Sequence, residues 1–152
     1  MSTVWRRVPA RIRRWGVRAT NTTFTVTAAA IVQNDEGNVL LLKHRYRPGS
    51  GWGIPGGFLE LGEQPEQTLR RELREEIDLE LNDVRLFTVR TFKRQKQIEV
   101  VFVARASGST QPQSGEIESA EWFSRNSLPD GLPSDQKKLI HSVLVDGAKG
   151  RV

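Results

Sequence analysis

Gly56 to Leu79 reads GGFLELGEQPEQTLRRELREEIDL, opening on two glycines and closing on three glutamates, Glu72, Glu75 and Glu76, within five positions. The spacing predicts a helix over Pro65 to Ile77. Gln64 stands at its cap, and Pro65 takes the first helical position, where a missing N–H is harmless. Leu69, Leu73 and Ile77 fall on one stripe, which must face a sheet. Glu72 and Glu76 lie one turn apart on the flank of that stripe, with Glu75 just round from them, while Arg70, Arg71 and Arg74 occupy the far side. Like charges three and four residues apart repel, and a carboxylate beside an apolar stripe is costly unless something neutralises it. The acids are sorted to one edge rather than interleaved with the arginines, which a solvated salt-bridge helix would favour.

A hard divalent cation resolves that repulsion. Mg²⁺ takes oxygen ligands, usually one or two carboxylates, waters and substrate phosphates. Zinc prefers nitrogen or sulfur donors. The chain has no cysteine and only two histidines, His44 and His141, both read as structural. Gly56 and Gly57 follow Trp52-Gly53-Ile54-Pro55, and lacking Cβ they let the backbone approach another group, so that a glycine carbonyl can join a metal shell. Glu60 and Glu63 add negative charge in the loop between the glycines and the helix.

Around this stretch, 152 residues with 37% hydrophobic and 27% charged content fit one ordinary globular domain. The absence of cysteine excludes disulfides and thiolate chemistry and fits a reducing, cytoplasmic setting. No apolar run approaches the roughly 20 residues of a membrane helix. The net charge of +5 belongs to the first twenty residues, where six arginines stand without an acid. We therefore divide the chain into a basic arm, residues 1–20, and a single domain, residues 21–152. In the arm, Trp5, Val8, Ile12 and Trp15 recur at near-helical spacing. An amphipathic helix packed on the body, or on a second copy in a homodimer, is the first reading; contact with nucleic acid or a membrane surface is the second, and a targeting segment the third.

Elsewhere, Phe24 to Gln33 reads as a strand, Asn34 to Asn38 as a turn, and Val39 to Arg45 as the return strand of a hairpin. Further strands are expected over Val84 to Phe92 and Ile98 to Arg105, with a short last one at Glu121 to Phe123. A final helix is expected from Asp135 to Val145, stopping before Gly147. A mixed sheet sandwiched by helices, an α/β/α arrangement of the α+β type, accommodates this order.

The central stretch resembles the signature of the Nudix hydrolase family, G-x5-E-x7-R-E-U-x-E-E-x-G-U with U aliphatic. Gly57, Glu63, Arg71, Glu72, Leu73, Glu75, Glu76 and Leu79 match eight of its nine defined positions. The departure is Asp78, where the pattern has glycine, a position where a left-handed conformation is common and which Asp tolerates at a cost of about 1–2 kcal/mol. The resemblance implies a Mg²⁺-dependent pyrophosphohydrolase (Mn²⁺ is an alternative ion) cleaving the diphosphate linkage of a nucleoside diphosphate derivative. It implies Glu72 and Glu76 as metal ligands, Glu75 sharing or bridging through water, the Gly56 carbonyl as a further ligand, and Arg71 with Glu63 orienting the carboxylates. The metal would neutralise phosphate charge and ease deprotonation of the attacking water.

The family often draws its base from outside the signature. Glu116 is the candidate, Glu118 and Glu121 the fallback, and Glu99 is read as a strand surface residue. Arg45 and Arg47 are candidates to clamp phosphate oxygens, with a solvated loop as the plain alternative. Trp52 and Trp122 are candidates to stack on a base, although buried packing explains them as simply. A Nudix-like isomerase would need a cysteine. The proline or tyrosine marking ADP-ribose and diadenosine polyphosphate hydrolases is replaced by Arg94, Gln95 and Lys96, and no coenzyme A signature precedes the box. Nucleotide sugars, nucleoside triphosphates (a house-cleaning role included) and dinucleotides stay open as small-molecule substrates. The rival from another class is a non-catalytic nucleotide-sensing module.

Overall fold

Strand β1 (Thr25–Gln33) is the spine of the computed structural model, which describes residues 21–149. It pairs in parallel with β6 (Gln97–Arg105) along its whole length, from Thr25↔Gln97 to Gln33↔Arg105. On its other edge it receives β4 (Gly56–Phe58) antiparallel, Ala28 opposite Gly57 and Ala29 opposite Gly56. β5 (Asn82–Phe92) closes the sheet beyond β6, while β2 (Val39–His44) carries β3 (Trp52–Gly53) and β7 (Ile117–Phe123). The basic arm, and every expectation placed on it, lies outside the described residues.

Residues alternate across a strand, so β1 feeds two cores. Ala28, Ala30 and Val32 face α1 (Pro65–Ile77), whose Leu69, Leu73 and Ile77 are fully buried. Ala29 and Ile31 face α2 (Ser134–Lys149), which contributes Leu139, Ile140 and Val143. The expected sandwich of helices about a mixed sheet is what forms. Among the described residues no helix is long and apolar enough to cross a membrane.

Helix α1 has the bounds that its sequence predicts. The Gln67 side chain accepts the Gln64 N–H at 2.8 Å. At the other end Asp78 sits at φ 53°, ψ 40°, donating to the Arg74 carbonyl, while Leu79 donates to the Leu73 carbonyl. The bond from Asp78 to Arg74 is that of an αL stop, and Leu73 and Leu79 lie buried in the same core.

Three expectations are corrected. The β1–β2 hairpin has its turn, with Asn34 Oδ1 accepting the Asn38 N–H at 2.9 Å. The strands then splay: their register is Gln33↔Val39, because β4 takes the β1 edge and β2 pairs with β7 and β3. β7 begins at Ile117 rather than Glu121, since pairing with β2 organises the polar Glu118 and Ser119 that local propensity left in a loop. α2 runs through Gly147 to Lys149; a helical glycine costs about 1 kcal/mol but does not by itself terminate a helix.

Asp78→Gly should stabilise the protein by about 1 kcal/mol, by relieving the left-handed strain and removing a negative charge from a helix C-terminus. Urea unfolding at unchanged slope measures it, and an unchanged midpoint would show that Asp78 is not strained there.

Candidate active site

The two glycines that open the decisive stretch serve close approach. A Cβ on Gly56 would stand 2.3 Å from the Ala28 carbonyl oxygen, so only glycine lets β4 lie this close to β1. A Cβ on Gly57 would stand 2.3 Å from the Glu72 carboxyl carbon. The turn therefore forms a seat for the Glu72 carboxylate.

Arg71 organises the acids. Its Nε donates to Glu63 Oε1 at 2.7 Å and its Nη2 to Glu63 Oε2 at 3.1 Å, a two-pronged pair. Its Nη1 reaches Glu72 Oε1 at 3.0 Å and Glu75 Oε2 at 3.4 Å, and Nη2 also donates to the Phe58 carbonyl at 3.3 Å. Glu63 additionally accepts from the Thr68 hydroxyl and the Glu60 N–H. These donors hold its carboxyl down at about 2, the Arg71 bond contributing most. Glu63 is thus a fixed anion that aims Arg71, and Arg71 in turn holds Glu72 against Gly57.

Glu76 is different. It is 8% exposed, and its Oε2 is buried without a hydrogen-bond partner among the described residues. Burial, then the charges of Glu72 and Glu116, push its pKa up to about 7, against an opposing pull from Arg47. Burial also raises the Glu72 carboxyl, with Arg71 pulling it back. Glu75 is largely exposed. The loop carrying Glu116 is tied over this edge by the Gln113 N–H on the Glu76 carbonyl and by the Arg45 N–H on the Glu116 carbonyl, both at 2.8 Å. Glu118 instead forms an ion pair with Lys43 at 3.0 Å, and Glu121 is exposed on β7.

Beside the glycine turn, on the opposite face of β1 from α1, lies a cleft of about 240 Å³ bordered by Arg47, Phe58, Gln97, Glu99 and Gln136. Arg47 folds its guanidinium onto Gly53, where a Cβ would be 1.8 Å from Nη1. Burial lowers the Arg47 pKa, while Glu76 and Glu99 raise it, so it lies within electrostatic reach of both the acidic edge and the cleft. Glu99 is not the strand surface residue expected: it lines the cleft, paired with Arg90, which also reaches Asp135 at 3.0 Å. Alternation along β6 carried that signal, because Gln97, Glu99 and Val101 share a face, but only the fold shows what the face meets. Trp52 packs edge-on against Phe123 at 5.0 Å, outside the lining of this cleft. Trp122 packs against the α1-side core, and Arg45 has an exposed side chain. His44 is partly buried, and burial with the Arg47 charge lowers its pKa to about 4.

Among the described residues no three acidic or histidine side chains gather closely enough to hold an ion on their own. The donors fit a hard cation nonetheless: oxygen ligands on Glu72 and Glu76 one turn apart, an orphaned buried oxygen on Glu76, and a glycine backbone close at hand. Such a set leaves positions for water and substrate phosphate, as Mg²⁺ sites usually do.

Comparison with known proteins finds relatives over most of this chain. A family model described as NUDIX domain matches residues 23–143. A relative named NAD-capped RNA hydrolase NudC, from Vibrio atlanticus, is 32% identical over 124 residues, covering 80% of this chain and 46% of the relative. An ADP-ribose pyrophosphatase from Methanocaldococcus jannaschii is 32% identical over 120 residues, 76% of this chain and 70% of that one. Among solved structures, a MutT NUDIX hydrolase from Burkholderia pseudomallei superposes with a TM-score of 0.69 at 26% identity, over 80% of this chain and 99% of the other. The chain spans less than half the length of the NudC relative.

Glu76 generates a pH prediction. Its pKa rises on folding from an ordinary 4.5 to about 7, so the native state holds the proton more tightly, and stability falls as pH rises from 4.5 through 7. His44 acts in the opposite sense between about 4 and 6.5, and comparison with a variant cancels it. Without divalent metal, Glu76→Gln should match the parent near pH 5 and exceed it at pH 8 by about 1–3 kcal/mol. Mg²⁺ should raise the melting temperature of the parent at pH 8 and leave the variant unmoved. Parallel stability curves for the two proteins would show that Glu76 carries no such burden. Gly57→Ala should displace the Glu72 carboxylate and abolish the Mg²⁺-induced rise while leaving the metal-free melting temperature within a few degrees.

Proposed function

Because the chain belongs to the Nudix family, we propose that it is a divalent-metal-dependent pyrophosphohydrolase acting on the diphosphate linkage of a nucleoside diphosphate derivative. The observation that carries the reading is the buried Oε2 of Glu76, unpartnered among the described residues, in a field made more negative by Glu72 and Glu116. A structural carboxylate would have found a donor; one intended for a cation has none until the cation arrives.

Glu72 and Glu76, with the Gly56 carbonyl and a share from Glu75, would hold Mg²⁺ or Mn²⁺. Bound there, the ion neutralises diphosphate oxygens and lowers the pKa of water. Arg71, fixed by Glu63, keeps Glu72 in place on Gly57. Arg47 supplies positive charge beside the glycine turn for a phosphate oxygen, and Arg45 stands close by in sequence on the same loop. Glu116, whose charge Glu76 feels, accepts the proton that the attacking water gives up. The ADP-ribose pyrophosphatase among the relatives returns ADP-ribose to the candidates, despite Arg94, Gln95 and Lys96 standing where that class carries its marker.

Incubation with Mg²⁺ and a panel of ADP-ribose, dinucleotides, nucleotide sugars and nucleoside triphosphates should release phosphate-containing products from one member. Glu76→Gln should lower kcat by about a hundredfold or more with the circular dichroism spectrum unchanged. Tight, Mg²⁺-dependent nucleotide binding with no turnover of any member would favour the sensing module instead.

A further inference from the structure

The cleft beside the glycine turn has a hydrogen-bonding inventory that none of the roles above uses. Both Arg90 bonds to Glu99 end on Oε2, and among the described residues no hydrogen bond reaches Oε1. One N–H of the Gln97 amide goes to Thr27 Oγ1 at 2.7 Å, which orients the amide, and its carbonyl oxygen has no hydrogen bond among the described residues. Gln136 is turned the other way: its oxygen accepts the Ile54 N–H at 2.9 Å, and its NH₂ has no acceptor among the described residues. Gln97 and Glu99 are two apart on β6, roughly 6.5–7 Å along the strand, so their acceptors stand on one face of the cleft and come together only as the two long side chains lean toward one ligand edge. Phe58, 62% exposed, offers an aromatic face at the border of the same cleft.

Two acceptors leaning toward one ligand edge ask for two neighbouring donors. Guanine presents N1–H beside its N2 amino group, flanked by the O6 acceptor that a spare amide NH₂ can meet. Adenine and cytosine place one donor beside an acceptor, and uracil places a single N–H between acceptors. Exposed aromatic faces stack on bases of any kind, so Phe58 supplies affinity and the acceptor pair supplies choice. Resting on the reading of the site as a nucleoside diphosphate hydrolase, we propose that Glu99 and Gln97 are specificity-determining residues that select a guanine-type edge in this cleft.

Arg90 makes the test sharp. Its Nε–H and an Nη2–H both point at residue 99 while Nη1 is held by Asp135, so in Glu99→Gln the amide oxygen should turn to Arg90 and the NH₂ away from it, toward the cleft. The acceptor pair then becomes a donor beside an acceptor, the complement of adenine. The full chain, with Mg²⁺, is titrated calorimetrically with the α,β-methylene diphosphates of guanosine, inosine, adenosine and 2′-deoxyguanosine, which report binding whether or not the protein turns over. The parent should bind the guanosine analogue at least tenfold tighter than the inosine one, which lacks the amino group, and tighter than the adenosine one. Glu99→Gln should weaken guanosine at least tenfold and reverse the guanosine-to-adenosine ratio.

Equal affinities in the parent would overturn the proposal, as would a variant that weakens all analogues alike, the mark of a merely structural ion pair. A loss on removing the 2′-hydroxyl equal to the loss on removing the amino group would assign the acceptors to the sugar and overturn it too. Should Mg²⁺-dependent hydrolysis occur without base preference, only this inference fails. If guanosine selectivity appears without hydrolysis, it is the enzymatic reading that fails.

Discussion

One guanidinium, that of Arg71, keeps the acidic edge from flying apart. It binds Glu63 with two prongs and touches Glu72 and Glu75 besides, so the loop after the glycines and the middle of α1 share a single positive centre. Breaking such a partly buried pair from one side leaves uncompensated charge, which is far costlier than the pair is stabilising. The consequence is geometric. Glu72 is pressed into the space that Gly57 leaves for it, and Glu76, one turn on, lies outside the ion pairs that Arg71 makes.

That uneven distribution separates scaffold from site. Glu63 is surrounded by donors and stays ionised; Glu76 is buried near Glu72 and Glu116, with Arg47 opposing them, and resists ionisation. Two carboxylates in one short stretch are driven apart in pKa by their surroundings, a pattern that marks functional positions more often than structural ones. The β1–β4 contact makes this possible. Ala28 and Ala29 are small enough, and Gly56 bare enough, for the turn to sit on the sheet between the acidic helix on one face and the cleft on the other.

Much of this was legible in residues 56–79. The helix bounds follow from Gln64, Pro65 and the Leu69–Leu73–Ile77 stripe, and the left-handed stop at Asp78 follows from its place at the helix end. The use of the glycines for close approach was legible as well, because it depends only on a missing Cβ. The two-helix sandwich followed from element order. The splayed hairpin and the early start of β7 did not, because both are decided by which strand occupies an edge, a competition between segments distant in the chain.

Local chemistry, then, was set by the sequence itself: periodicity placed the acids on one border, and backbone rules placed the cap, the stop and the turn. Partnership was decided by the tertiary structure alone. That Glu99 lines a cleft, that Arg47 reaches both its charge and that of Glu76, and that Trp52 turns to Phe123 all depend on residues tens of positions apart being packed together. Electrostatics and hydrogen bonding act across space, and a linear chain records which groups exist without recording which of them meet.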